Sequence, residues 1–145
     1  MAYVEHNIHI DEPPSAVWTV LTDVERTPEW TTTMTKVVRL DSGPFGMGSS
    51  ARINQPGGAR AVWTVTAYDD GRSFDWVAHP LPGLSVLATH VLTPVDGGTD
   101  LTLGITISGA ASPVLKFIFA PLSQRYIGIE ARGLKSRVEG SAAAT

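Results

Sequence analysis

Apolar and polar residues alternate along residues 3–10, with His6, Ile8 and Ile10 on one side, which predicts a first strand. From Pro13 the period lengthens. Val17, Trp18, Leu21 and Val24 recur at helical spacing, and Pro13 and Pro14 fall at or just before the first turn, where a missing amide costs least. Asp23 is placed to cap a second short helix that Pro28 bounds and that stops at Trp30. Strand-like runs then return at 34–40, 49–55, 61–68, 72–79, 84–95 and 101–108. Between them lie turn sequences such as Pro56-Gly57-Gly58, Asp69-Asp70-Gly71, Pro80-Leu81-Pro82-Gly83 and Asp96-Gly97-Gly98. Such dipeptides between alternating runs are strong hairpin signals, so the strands read as an antiparallel meander.

The last segment changes period again. Ser112 can cap a long helix and Pro113 can occupy its first turn. On a helical wheel Leu115, Ile118, Phe119, Leu122, Tyr126, Ile129 and Gly133 share one side, while Gln124, Arg125, Gly128, Arg132 and Lys135 lie opposite. Gly140 is the expected end, with residues 141–145 as a flexible tail. Pro121 removes one helical hydrogen bond, so a kink or a break is expected there. Gly133, in the apolar stripe, suggests a close approach of helix to sheet, because glycine there costs about 1 kcal/mol relative to alanine.

Hairpin parity extends the reading to side chains. A two-residue Asp70-Gly71 turn would pair Ala67 with Phe74, Val65 with Trp76 and Trp63 with Ala78, gathering Trp63, Phe74 and Trp76 on one face. Thr64, Thr66, Asp75 and His79 would face solvent. Either turn choice at 96–98 places Ala88, His90 and Leu92 with Leu101, Leu103, Ile105 and Ile107. His90 is therefore expected on an otherwise apolar inner face. For the hairpin at 55–59 the parity leaves the direction of Arg52 open.

The chain has 145 residues, enough for one domain with a sizeable core, and a single domain over 1–140 is expected. A net charge of −3, with 11 scattered basic residues, argues against nucleic acid as a partner. The sequence contains no cysteine, which removes disulfides and thiolate chemistry, and its four histidines include no pair at zinc-site spacing, so no metal and no cofactor is expected. No GxSxG elbow and no phosphate-binding glycine loop is present in the sequence. The stretch MAYVEHNIHIDE lacks the basic start and apolar run of a signal peptide, and no apolar run approaches the roughly 20 residues of a bilayer span. A cytoplasmic protein without integral membrane association is expected.

The order strand, two helices, antiparallel strands, long helix, together with PPSAVWTVLTDVERTPEW at 13–30, AVWTVTAYDDGRSFDW at 61–76, ATHVLTPVDGGTDLTL at 88–103 and IEARGLKSRVEG at 129–140, resembles the START/Bet v 1-like (SRPBCC) superfamily, in its polyketide cyclase/dehydrase-type branch. The resemblance runs from about residue 4 to 140. It implies an α+β helix-grip fold: a curved antiparallel sheet of about seven strands, two short helices after strand 1, and a long C-terminal helix over the concave face. Pro121 departs from the usual uninterrupted closing helix.

A twisted sheet closed by one helix leaves room for a cavity, and small-molecule sites of this kind measure roughly 300–1,000 Å³. The expected ligand-binding residues are Trp63, Phe74, Trp76, His90, Leu103, Ile118, Leu122, Tyr126 and Ile129. Three functions stay open. The first is binding or carriage of a small hydrophobic or aromatic ligand, lipid- or polyketide-like, which the scarcity of inward ionisable groups favours. The second is a polyketide cyclase or aromatase-type enzyme, with His90 as acid/base and Tyr126 as its helper. The third is a protein-interaction module with a vestigial cavity, for which Trp30 and the proline-rich loop 80–82 are the candidate contacts. Glu130 and Arg132 read as a solvated or structural ion pair. The chain is expected to be a monomer or a homodimer.

Overall fold

The computed structural model describes residues 1–143. Strand β1 (Ala2–Ile10) is followed by helix α1 (Pro14–Thr22), a 3-10 segment (Val24–Glu29) and strand β2 (Lys36–Arg39). Strands β3 (Ser50–Asn54), β4 (Arg60–Asp69), β5 (Ser73–Ala78), β6 (Ser85–Val95) and β7 (Gly98–Ser108) lead to helix α2 (Ser112–Ala143). The seven strands form one antiparallel sheet in the order β1-β7-β6-β5-β4-β3-β2. Consecutive strands β1 and β2 thus lie at opposite edges. The chain between them must cross the sheet, and it does so through α1, which packs on β6 and β7, and the 3-10 segment, which packs on β2. This crossing, together with α2, is the helix-grip arrangement that the resemblance implied.

The hairpins place side chains largely by parity. In β6 and β7, Val95 stands opposite Gly98, so His90 pairs with Leu103 and Ala88 with Ile105. The β4–β5 hairpin reaches the expected Val65–Trp76 pair by another route. Asp69 pairs with Ser73, leaving a three-residue loop with Gly71 at φ 78°, and a bulge between Val65 and Ala67 absorbs the odd residue. Phe74 consequently opposes Tyr68 rather than Ala67. The five-residue connection 55–59 puts Ile53 in the core and Arg52, opposite Val62, on the exposed face.

Helix α2 departs from the expected wheel. Its core stripe is Ile127, Ala131, Leu134 and Val138, spaced four, three and four apart and all buried. Ile118 is exposed, and Ile129 lies in a surface groove beside Pro28 and Trp30. The reason is that residues 114–122 are apolar on nearly every side, so their apolar pattern defines no unique inward face. The helix runs unbroken through Pro121, where the exposed surface lets water serve the Phe117 carbonyl that loses its amide partner. It also continues past Gly140 to Ala143; the last two residues of the expected tail lie outside the described residues.

The C-terminal half of α2 is tied down at both flanks. Lys135 Nζ donates to the His9 carbonyl at 2.6 Å and to Glu139 Oε2 at 2.8 Å, and Glu139 Oε2 also accepts the Asp11 amide at 2.8 Å. Arg137 bridges to Glu29 at 2.6 Å. Gly133 sits against Trp30, where a Cβ would run into the Trp30 carbonyl oxygen. The close approach is therefore to the crossing segment, not to the sheet. Around Gly140 a Cβ would meet nothing within 4 Å. Gly133→Ala is expected to lower the melting temperature despite alanine's advantage of about 1 kcal/mol in helix propensity, and Gly140→Ala to leave it unchanged or raise it. Calorimetry on the two variants checks this pair; a gain at both positions would remove the packing role of Gly133.

Candidate functional site

The inner face of the sheet carries a connected set of aromatic rings. Trp63 and Trp76 lie 6.0 Å apart, Phe74 meets Trp76 edge-on at 5.4 Å, and the His90 ring stacks on Phe74 at 4.1 Å. Phe45, from the loop after β2, closes this set with edge contacts to Phe74 at 5.1 Å and Trp76 at 5.9 Å. Nothing in its turn sequence, Ser42-Gly43-Pro44-Phe45-Gly46, marked it as an inward residue.

A cavity of about 190 Å³ lies between these rings and α2. Trp63, Trp76, His90 and Ile105 form its floor, and Phe119, Leu122, Tyr126 and Glu130 its roof. Exposed Pro56 and Pro80, on the β3–β4 and β5–β6 connections, and Arg60, at the start of β4, mark the end that opens to solvent. Of the residues expected from sequence, Trp63, Trp76, His90, Leu122 and Tyr126 meet here. Phe74 and Leu103 instead border a small adjoining space of about 20 Å³, which Trp30, Thr27, His90 and Glu130 also line. Ile118 and Ile129 are outside both, for the reason given above.

His90 is buried, and its Nδ1 lies 3.0 Å from the Phe74 carbonyl oxygen. A carbonyl only accepts, so Nδ1 carries the proton and Nε2 is left as the acceptor. Burial drives its pKa down to about 4, against a smaller upward pull from the Phe74 bond. The imidazole is neutral at physiological pH.

Glu130 is a cavity residue that the sequence pattern did not place there. It is half-buried because its side chain borders the cavity, and its neighbour is not Arg132, which is exposed. Its Oε1 accepts the Thr33 hydroxyl at 2.7 Å, and Thr33 in turn lies 3.0 Å from the Thr31 hydroxyl. Desolvation raises its pKa to about 7, and the Thr33 hydrogen bond offsets only part of that. The signal in the sequence was spacing. Glu130 lies three residues from Ile127 and four from Leu134, on the stripe that proves to be the core.

His90 and Glu130, both on the cavity, thus have their ordinary order reversed, with the acid titrating above the base. Between about pH 4 and 7 both are uncharged, one offering an acceptor nitrogen and the other a carboxylic acid. Such walls suit a neutral ring compound with a hydroxyl or carbonyl group. Among the described residues no group of His, Cys, Asp or Glu side chains is arranged to hold a metal ion, and no helix is long and apolar enough to cross a membrane.

The family model described as "Polyketide cyclase / dehydrase and lipid transport" matches residues 1–139. Among solved structures, the Zhui aromatase/cyclase from Streptomyces sp. R1128 superposes with a TM-score of 0.76 at 19% identity, covering 95% of this chain and 93% of that one. A START superfamily protein from Mycobacterium smegmatis gives a TM-score of 0.74 at 16% identity, covering 95% and 97%. Ara h 8.0201 gives 0.76 at 16% identity, covering 96% and 98%. At such identities the likeness is one of fold. No curated protein matches the chain in sequence.

The reversed pair has a consequence for stability. His90, depressed from 6.5 to about 4, contributes stability above pH 6.5 that is lost as pH falls towards 4. Glu130, raised from 4.5 to about 7, contributes stability below pH 4.5 that is lost as pH rises towards 7. Between about 4.5 and 6.5 the two slopes oppose each other. Relative to the unmodified protein, Glu130→Gln should lose melting temperature as pH is lowered through that window, and His90→Gln should lose it as pH is raised. Thermal melts across that range check the signs; two variants with parallel profiles would contradict the assignment.

Proposed function

Because the chain belongs to the polyketide cyclase/dehydrase and lipid-transport family of the START/Bet v 1-like superfamily, we propose that it binds a compact, uncharged, ring-bearing molecule in the cavity between α2 and the sheet. The observation that carries this reading is an aromatic-walled cavity whose inner ionisable groups, His90 and Glu130, are both neutral over a common pH range, with the Arg60 cation confined to its solvent-open end. A charged ligand seated against His90 and Glu130, away from Arg60 at the open end, would gain no countercharge there and would lose its hydration. The volume of about 190 Å³ falls below the roughly 300–1,000 Å³ of typical small-molecule sites, which favours one or two rings over an extended chain. Trp63 and Trp76 supply stacking surfaces, and Tyr126 and His90 fix the polar end of the ligand.

A second reading has its own support. Glu130 titrates close to neutrality at the cavity wall, as a general acid does. In a dehydration of cyclase/dehydratase type, Glu130 would protonate a departing hydroxyl while His90 Nε2 takes the proton from the adjacent carbon, so that water leaves and a double bond forms. The aromatase/cyclase activity named for one fold neighbour is of related kind.

Native mass spectrometry of the purified protein with solvent extraction comes first, followed by tryptophan-fluorescence titration at pH 6 with 2-naphthol and with 2-naphthoate. A co-purified apolar molecule, or saturable binding of naphthol at least an order of magnitude tighter than of the naphthoate anion, is expected. Equal binding of the two, or none, overturns the neutral-ligand reading. For the second reading, elimination of water from 4-hydroxy-4-phenylbutan-2-one is followed by absorbance. Acceleration that falls about a hundredfold in Glu130→Gln, with naphthol affinity within a few-fold, supports an enzyme. A rate equal to that in buffer leaves a carrier.

A further inference from the structure

The first three turns of α2 present the wrong chemistry to solvent. Along the helix, Val114, Phe117, Ile118, Pro121, Arg125 and Arg132 form one outward stripe, opposite the residues that roof the cavity. A surface helix is normally polar there. Here Val114 is 73% exposed, Phe117 74% and Ile118 65%, and the stripe turns polar only from Arg125 onward. Leu81, on the neighbouring β5–β6 loop, adds another exposed apolar side chain at 43%. That loop is joined to the start of α2 by the Ala111 amide, which donates to the Gly83 carbonyl at 2.8 Å. The apolar surface therefore surrounds the end where the cavity opens.

Charge is distributed to match. No acidic residue occurs between Asp100 and Glu130 in the sequence, or in the loops 55–59 and 79–84, while Arg60, Lys116 and Arg125 lie at this end. The antiparallel topology sends the β1–α1, β4–β5 and β6–β7 connections to the far end, where Asp11, Glu12, Asp69, Asp70, Asp96 and Asp100 outnumber Arg39 and Arg72. A chain of net charge −3 is thus basic at the end that carries the exposed stripe of α2.

We propose that this end docks on an anionic lipid surface, with Val114, Phe117 and Ile118 entering the headgroup region and Lys116, Arg125 and Arg60 meeting lipid phosphates. An apolar face flanked by cations is the pattern of an interfacial helix, which combines buried apolar area with attraction to negative lipids. A second copy of the chain fits less well, since a two-fold pairing of these faces sets the same cations against each other. A bilayer also suits the position of the patch, because the cavity mouth would open onto the apolar phase. The docking itself is independent of what the cavity holds.

Flotation with phosphatidylcholine vesicles, and with vesicles of two parts phosphatidylcholine to one part phosphatidylglycerol, tests it on the full chain. Binding to the mixed vesicles, weak binding to phosphatidylcholine alone, and loss of binding in high salt are expected. Val114→Ser with Phe117→Ser should abolish it at unchanged melting temperature, since both side chains are exposed. Arg125→Glu should weaken it by about an order of magnitude. Absence of binding to the anionic vesicles overturns the proposal. So does a concentration-dependent dimer by light scattering that the Val114/Phe117 variant dissolves, because the patch is then an interface between copies.

Discussion

The structure depends on a backbone-to-backbone approach at Gly133. Only a residue without a side chain lets α2 lie against the Trp30 carbonyl, and that contact fixes the helix relative to the crossing segment. The consequence reaches the cavity within one helical turn. Glu130 is three residues before Gly133, and Thr33 is three residues after Trp30, so the same approach brings the carboxyl to the Thr33 hydroxyl. Topology makes the approach necessary. With β1 and β2 at opposite edges, the crossing segment must pass over the concave face and share it with α2. The Lys135, Glu139 and Arg137 contacts then hold the helix from either side without setting its depth.

Depth in turn sets the electrostatics. A carboxyl and an imidazole in a wet cleft would sit near their ordinary values, with the acid ionised and the base half protonated at pH 6.5. Burial reverses that order because it penalises whichever form carries charge. Each group keeps one hydrogen bond, Nδ1–H to the Phe74 carbonyl and a carboxyl oxygen receiving the Thr33 hydroxyl, and each bond favours the charged form and offsets only part of the burial effect. The ring faces around them complete an inner lining that offers hydrogen bonds without net charge, with Arg60 at the open end.

Much of this fold was legible because strands advertise themselves by alternation and turns by glycine. The inward direction of His90 followed from the 96–98 turn alone, where either turn choice preserves parity. The β4–β5 hairpin shows how such reasoning succeeds by cancellation, since an unseen three-residue loop and an unseen bulge left Trp76 opposite Val65. Phe45 and Glu130 were harder for opposite reasons. Phe45 belongs to an irregular loop, where no period says which way a side chain points. Glu130 belongs to a clear helix whose first half is apolar nearly all round, so the wheel was turned towards the wrong stripe. With the stripe read from Ile127, Ala131, Leu134 and Val138, a glutamate between them stands out as an acid at the edge of the core.

The all-round apolar first half is a physical property of the helix. Helix α2 is two helices in one. From Ile127 onward it has a single buried face and a polar back, with ion pairs at its flanks, as a helix that closes a core should. Before Gln124 it has an apolar inner side over the cavity and an apolar outer side as well, a composition that in a folded chain belongs to a helix covered on both faces. The sheet covers only one of them. A sequence optimised for solvent alone would place Lys, Glu or Gln at 114, 117 and 118, as it does at 132, 136 and 139 with Arg, Ser and Glu. The division falls where the cavity begins to open, so the half that anchors the helix and the half that borders the cavity mouth are under different constraints. One must fit a protein interior; the other must also present an apolar surface outward.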